Sequence, residues 1–314
     1  MKRIHKHRQR GEGRGGAVRE PGKLVAGPPG LEAGGDRPPA GTLYVVATPI
    51  GNLEDITIRA IRILKEVRLI AAEDTRRTRI LLDRYQIETP LISLYDQNEL
   101  KKSGLLLARL QGGDDVAYVS DAGTPGISDP GYILVREALA SGISVVPVPG
   151  ASALIAAISV SGLPMDTFVF YGFLPSKPTK RRQLLLSLQG ENRTLIFYES
   201  PHRLLDSLKD IAELLGERDV VLSREMTKLH EEFFRGPADA VMARLGEGVV
   251  KGEVTLIVAG CPRESPEYTD DELLERCEQL KRTERELSLR DRADRIARET
   301  GVSRRRIYRL LLFP

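Results

Sequence analysis

Gly41-Thr-Leu-Tyr-Val-Val-Ala47 is an apolar run that stops at Thr48-Pro-Ile-Gly-Asn-Leu53. Behind that break, Asp55–Glu66 carries Ile56, Ile58, Ile61, Ile63 and Leu64 at helical spacing, opened by Asp and Thr. Reading outward, the same unit repeats. Leu69–Ala72, Pro90–Leu94, Val116–Val119 and Ile143–Val148 have the composition of buried strands. Thr75–Tyr85, Leu100–Leu110 and Gly131–Ala140 between them have the composition of helices. Short, wholly apolar strands alternating with helices predict a parallel sheet covered on both faces.

Ala138 to Met165 contains no charged residue and is long enough to span a bilayer. Pro147, Pro149 and Gly150 would break a spanning helix at its centre. The run therefore reads as a buried strand, a turn, and a small-residue helix over Ser152–Ser161. Past Gly162 the pattern changes. Phe168–Phe173, Arg193–Tyr198, Asp219–Leu222 and Val254–Ala259 read as strands, and Phe234-Arg-Gly-Pro closes a further one. Only Thr179–Leu188, Pro201–Leu215 and Pro237–Leu245 read as helices among them, so some strands must be antiparallel neighbours. The expected organisation is two α/β domains, 41–162 with a parallel sheet and 163–262 with a mixed sheet, and a helical segment over 270–314.

Residues 1–40 hold fourteen Gly or Pro and no aromatic residue, the composition of a flexible basic tail. That stretch carries nine Lys or Arg against four acids, so the overall charge of +3 conceals a slightly acidic body. A uniformly basic nucleic-acid binder is thereby excluded. Two cysteines, Cys261 and Cys277, make neither a disulfide framework nor a thiolate zinc site. With His5 and His7 in the tail, a multi-histidine metal centre is not expected. The start of the chain lacks the apolar segment of a signal peptide, and a cytoplasmic location is expected.

Three loops follow strand ends and are rich in Gly and Pro: Thr48–Leu53, Ser120-Asp-Ala-Gly-Thr-Pro-Gly-Ile-Ser-Asp-Pro-Gly131, and Pro147-Val-Pro-Gly-Ala-Ser-Ala153. Ligands of open parallel sheets bind at such carboxyl-end loops. None contains the spacing of a dinucleotide fingerprint or a P-loop. Loops of Gly, Ala and Pro without an adjacent Lys offer backbone amides and apolar walls rather than a phosphate cradle.

These loops belong to an ordered series that also includes Ala72-Glu-Asp-Thr-Arg76, Tyr171-Gly-Phe-Leu-Pro175, Phe197-Tyr-Glu-Ser-Pro-His-Arg203 and Gly252-Glu-Val-Thr-Leu-Ile-Val258. Over about residues 41 to 260 the series resembles the tetrapyrrole-methylase superfamily, and within it the bacterial methyltransferases of small-subunit ribosomal RNA. The resemblance implies S-adenosylmethionine held in a cleft between two α/β domains. It implies methyl transfer to the ribose 2′-hydroxyl of a cytidine in 16S rRNA, free or within the small ribosomal subunit, by a homodimer. Position by position it places Pro49, Ala122, Gly123, Thr124, Ile127, Ser152, Ala153 and Met226 against the cofactor. Glu199 falls where the second domain closes over cofactor or substrate. Two rivals share these features: a small-molecule, tetrapyrrole-type methylase, and a non-catalytic RNA-binding protein of ribosome assembly.

A ribose hydroxyl is a weak nucleophile, so a group that takes its proton is sought. Glu73, Glu199 and Lys228 are the candidates, with Asp74, His202 and His230 as further options. Arg76 and Arg77 lie near the expected cleft, and Lys180 and Arg181 belong to a basic cluster after the Gly-Phe-Leu-Pro turn. At the C-terminus, Leu287–Leu311 reads as helix, Gly turn and helix. Ser303 is a cap for a second helix bearing Arg304, Arg305, Arg306 and Arg309, the form of a helix-turn-helix that contacts RNA phosphates.

Overall fold

The computed structural model describes residues 39–246, 250–262, 268–284 and 286–312. The expected basic tail thus lies almost wholly outside the described residues. The first half runs β1 (Thr42–Val46), α1 (Ile58–Glu66), β2 (Leu69–Ala72), α2 (Thr75–Arg84), β3 (Leu91–Ser93), α3 (Glu99–Gln111), β4 (Val116–Val119), α4 (Tyr132–Ala140), β5 (Ser144–Val148) and α5 (Ala153–Ser159). Its five strands form one parallel sheet in the order β3-β2-β4-β1-β5. β2 and β4 are buried along their whole length, as their unbroken apolar sequences require.

In this half one helix start differs by three residues from the sequence reading. The first helix begins at Ile58 rather than Asp55, because Asn52 accepts a hydrogen bond from the Glu54 amide and holds Leu53–Asp55 as a separate 3-10 turn. Thr57 then caps α1 through the Ala60 amide at 3.1 Å.

The second half runs β6 (Phe168–Phe173), α6 (Pro178–Ser187), β7 (Thr194–Glu199), α7 (Leu204–Leu215), β8 (Asp219–Arg224), β9 (Glu232–Pro237), α8 (Ala238–Leu245) and β10 (Val254–Val258). The sheet order is β6-β7-β10-β8-β9; only β6 and β7 are parallel. α7 covers one face with Leu204, Leu208, Ile211 and Leu215, a stripe at helical spacing. Each such side chain contributes about 1.5–3 kcal/mol when fully buried. The opposite face is covered from the other half of the molecule: Ala157 and Ile158 of α5 pack with Ile196, Val221 and Ile257. The charge-free run Ala138–Met165 is thus partly a strand of one sheet and partly a helix against the other. No helix among the described residues is long and apolar enough to cross a membrane.

The last part is three helices, α9 (Asp270–Thr283), α10 (Leu289–Thr300) and α11 (Arg304–Leu312). They share a core of Leu273, Cys277, Ala293, Ile296 and Ile307. Gly301, at φ +72°, turns the chain between the last two, and Ser303 accepts from the Arg306 amide at the start of α11.

Candidate functional site

A cavity of about 460 Å³ opens between the ends of the two sheets. On the parallel-sheet side it is lined by Ile50, by the β4–α4 loop and by Ser152 and Ala153 at the start of α5. On the other side it meets Phe173, Tyr198, Glu199, Met226 and the Gly252–Thr255 segment. These come from the ends of β6, β7 and β8 and the start of β10. Since β10 runs antiparallel to β7 and β8, its first residues lie beside their last.

The β4–α4 loop is fixed from several directions. Thr48 and Gly123 exchange backbone hydrogen bonds of 2.8 and 3.0 Å, joining the first loop to the second. Thr124 donates through Oγ1 to the Ala151 carbonyl at 3.3 Å, joining the second loop to the third. The Tyr118 hydroxyl donates to the Pro130 carbonyl at 2.7 Å. Gly131 cannot cap α4 with a side chain, and buried Glu99 does so instead, its Oε1 accepting from the amides of Gly131, Ile133 and Leu134 at 3.0, 2.9 and 3.2 Å. A Cβ at Gly131 would meet the Tyr118 ring at 2.4 Å. The loop is therefore a preformed wall of backbone and small side chains.

Two carboxyl groups of this wall are perturbed. Burial raises the pKa of Glu73, whose Oε2 accepts from the Asp121 amide at 3.3 Å. Burial also pushes Asp129 up to about 6, with Glu73 and Asp121 adding to the effect and the Ser120 hydroxyl opposing it. Folding thus tightens the hold of Asp129 on its proton. Its contribution disfavours the fold above about pH 6 and vanishes below about pH 4, where both states are protonated. Asp129→Asn is accordingly expected to raise the melting temperature at about pH 7.5 and to leave it unchanged below about pH 4. Thermal scans at the two pH values check this; an equal shift at both would contradict it.

Of the residues proposed from the sequence, the cavity brings together Glu73, Arg77, Ala122, Gly123, Thr124, Ile127, Ser152, Ala153, Glu199 and Met226. Pro49 is not among its lining residues; its neighbour Ile50 is. Glu199 reaches the wall but its oxygens are taken: it is 2% exposed, pairs with Arg203 at 2.6 Å, and accepts from Ser207 and the Ser200 amide. It is a shaping group rather than a free base. Lys228 is not among the lining residues, and it bridges Glu225 and Glu253 at 2.9 and 3.2 Å. Burial pulls its pKa down, but the two carboxylates outweigh burial and the net shift is upward, so it stays an ammonium. His202 and His230 are exposed and do not line the cavity.

The basic cluster after β6 is also corrected. Arg181 is 4% exposed and holds Asp210 of α7 at 2.7 Å, while Arg182 reaches Asp210 and Glu213. Lys177 and Lys180 of that cluster are exposed, and the Arg182 side chain is partly so while ion-paired. Arg76 is exposed and paired with Asp74, the cap of α2. In the C-terminal helices Arg306 is tied to Asp270 and the Tyr268 carbonyl, and Arg304 to Asp294. Arg305 and Arg309 are exposed and have no salt-bridge partner among the described residues. Arg290, Arg304, Arg305 and Tyr308 surround an open hollow on this unit.

Sequence reasoning missed Asp129, Phe173, Tyr198 and the Gly252–Thr255 wall as lining residues. All four lie inside motifs quoted above, so the signal was present without the geometry to rank individual positions.

The family model for Tetrapyrrole (Corrin/Porphyrin) Methylases matches residues 42–242. A relative from Synechocystis, named ribosomal RNA small subunit methyltransferase I, is 48% identical over 274 residues, covering 87% of this chain and 98% of its own. A Thermotoga maritima relative of the same name is 53% identical over 220 residues, covering 70% of this chain but 99% of its own. Among solved structures, uroporphyrin-III C-methyltransferase from Thermus thermophilus, complexed with S-adenyl homocysteine, superposes with a TM-score of 0.50 at 20% identity. It covers 71% of this chain and 99% of its own, a likeness of fold.

Proposed function

The chain belongs to the tetrapyrrole (corrin/porphyrin) methylases, and from that premise we propose that it transfers a methyl group from S-adenosylmethionine to a ribose 2′-hydroxyl of a cytidine in 16S rRNA. The observation that carries this reading is the preformed loop Ser120–Gly131 at the cavity wall, in a chain 48% identical to a protein named for small-subunit rRNA methylation.

The residues present fit the cofactor. The parallel-sheet side offers backbone groups of Ala122, Gly123 and Thr124, the apolar sides of Ile50 and Ile127, and Ser152 and Ala153, with Met226 on the other side. Arg77 is the one Lys or Arg among the lining residues, and it is held by Asp121 at 3.4 Å. That suits a positively charged sulfonium. When bound, S-adenosylmethionine supplies the electrophilic methyl group. The chain's own work is positioning and desolvation of an in-line displacement. Glu73 and Asp129 are the carboxyl groups placed to receive the hydroxyl proton, and burial gives both the raised basicity such a role needs.

Radiolabelled methyl transfer to purified small subunits and to free 16S rRNA, with mapping of the product, tests this. Label entering a porphyrinoid but not RNA would favour a small-molecule methylase, and failure to bind cofactor would favour a non-catalytic RNA-binding role. The homodimer implied by the resemblance is part of the proposal and is read directly by light scattering.

RNA contact by the C-terminal helices is the second element of the reading. Arg305 and Arg309 project to solvent, whereas Arg304 and Arg306 secure the three-helix unit itself. Replacing Arg305 and Arg309 together by alanine should weaken RNA binding and lower its log–log salt slope. The expected drop is about 0.7 for each phosphate of single-stranded RNA that is no longer neutralised. Cofactor affinity should not change. A filter-binding series across salt checks this; an unaltered slope would make the two arginines a solvated face.

A further inference from the structure

β6 carries one residue too many. It pairs with β7 as Phe168↔Thr194, Val169↔Leu195 and Phe170↔Ile196, and then as Phe173↔Tyr198. Between the last two pairs β6 advances three residues while β7 advances two. Side chains alternate along a strand, so without this step Phe173 would share a face with Val169 and Tyr171. That is the face covered by α6 and α7, where Val169 packs and Tyr171 stacks on Phe197. The bulge reverses the alternation. Phe173 emerges on the cavity side with Phe170, and Leu174 takes the place in the helix-covered core, 1% exposed. Gly172, at φ +68°, absorbs the extra residue, and a Cβ there would already touch Ser128 Oγ at 3.0 Å. Bulges of this kind re-aim a side chain beside a site.

The re-aimed ring lines the cavity yet remains 56% exposed. It rests edge-on against Tyr198 (5.6 Å between centroids, 62°), which is itself braced by Phe170 at 4.9 Å. Ile127, 40% exposed, and Arg77 are further lining residues. A stacked strand displays its ribose hydroxyls along the minor groove, but a cavity of about 460 Å³ between two sheets has no room for the strand, so a nucleotide that enters it leaves the stack. A braced, exposed ring is the element that replaces the forfeited stacking in single-stranded RNA recognition, and Arg77 lines the same cavity. We propose that Phe173 is the stacking platform for the nucleobase of the unstacked target nucleotide. This rests on the RNA reading above.

The test uses the full chain with purified small subunits and 16S rRNA. Phe173→Ala and Phe173→Leu should raise the RNA KM by roughly 5- to 150-fold, the range for removing one base–aromatic stack. S-adenosylhomocysteine affinity should stay unchanged. Because the chain has no tryptophan, Phe173→Trp places a sole indole at the platform, and RNA should quench its fluorescence in protein saturated with S-adenosylhomocysteine. An unchanged RNA KM in both truncations overturns the platform. Loss of S-adenosylhomocysteine affinity overturns it too and gives the ring to the cofactor. Failure of the underlying reading is seen separately, as wild-type protein that transfers no methyl to small-subunit RNA.

Discussion

Gly123→Val is expected to abolish measurable binding of S-adenosylhomocysteine in calorimetric titration while the protein stays folded. Gly123 sits at φ +79°, a conformation that costs a residue with a Cβ about 1–2 kcal/mol and a β-branched one more. Its backbone cannot relax freely, because both its amide and its carbonyl are bonded to Thr48. A Cβ alone would find ordinary contacts, 3.4 Å from Ile50 Cγ2 and 3.8 Å from the Ala151 carbonyl. The γ-methyls of valine have no such accommodation and must enter the cavity or displace the loop. Affinity is expected to fall by more than roughly a hundredfold, about 2.7 kcal/mol. Gly123→Ala, which carries the strain without the bulk, should fall between. Unchanged affinity in a folded valine variant would place the cofactor elsewhere.

Arg181→Ala is expected to be the most damaging of the charge removals, through stability rather than RNA. Arg181 and Asp210 are 4% and 7% exposed, and removing the guanidinium leaves a buried carboxylate partly unmatched. Breaking a buried pair from one side costs about 3–5 kcal/mol. The lower figure is expected because Arg182 still reaches the other oxygen of Asp210 at 2.6 Å. Denaturant unfolding checks this, with Lys180→Ala as the neutral comparison. A stable Arg181→Ala variant with weakened RNA binding would restore the phosphate-contact role.

These two residues mark where the sequence was and was not legible. The parallel sheet could be read because β2 and β4 are buried on both faces and so are apolar throughout. The Gly-rich loop could be read because serial Gly and Pro imply special backbone geometry. Arg181 could not: its helix shows Lys177, Lys180, Arg181 and Arg182 as a basic cluster, and nothing local reveals that Asp210 waits on α7. Glu99 was invisible for the same reason, since its three amide partners lie more than thirty residues onward. Phe173 eluded the alternation rule because a bulge is a change of register, which hydrophobic pattern alone does not encode.

The separate core of α9, α10 and α11 has a consequence for reach. Backbone bonds from Ala259 to Asp219 and from Cys261 to Glu191 fasten the chain to the second sheet. Tyr268 already belongs to the helical unit, through Arg276 over its ring and Arg306 on its carbonyl. From Cys261 to Tyr268 a fully extended chain spans at most about 25 Å. On the proposed RNA contact, RNA held by the helices would be confined to a small volume around the two-sheet body, and its docking in the cavity would become an intramolecular event governed by effective concentration. The Thermotoga relative aligns over 220 residues and nearly all its own length, enough for the two sheets but not for this unit as well. A methylase lacking the unit would have to find its target by direct encounter from bulk solution, with affinity built wholly at the cavity.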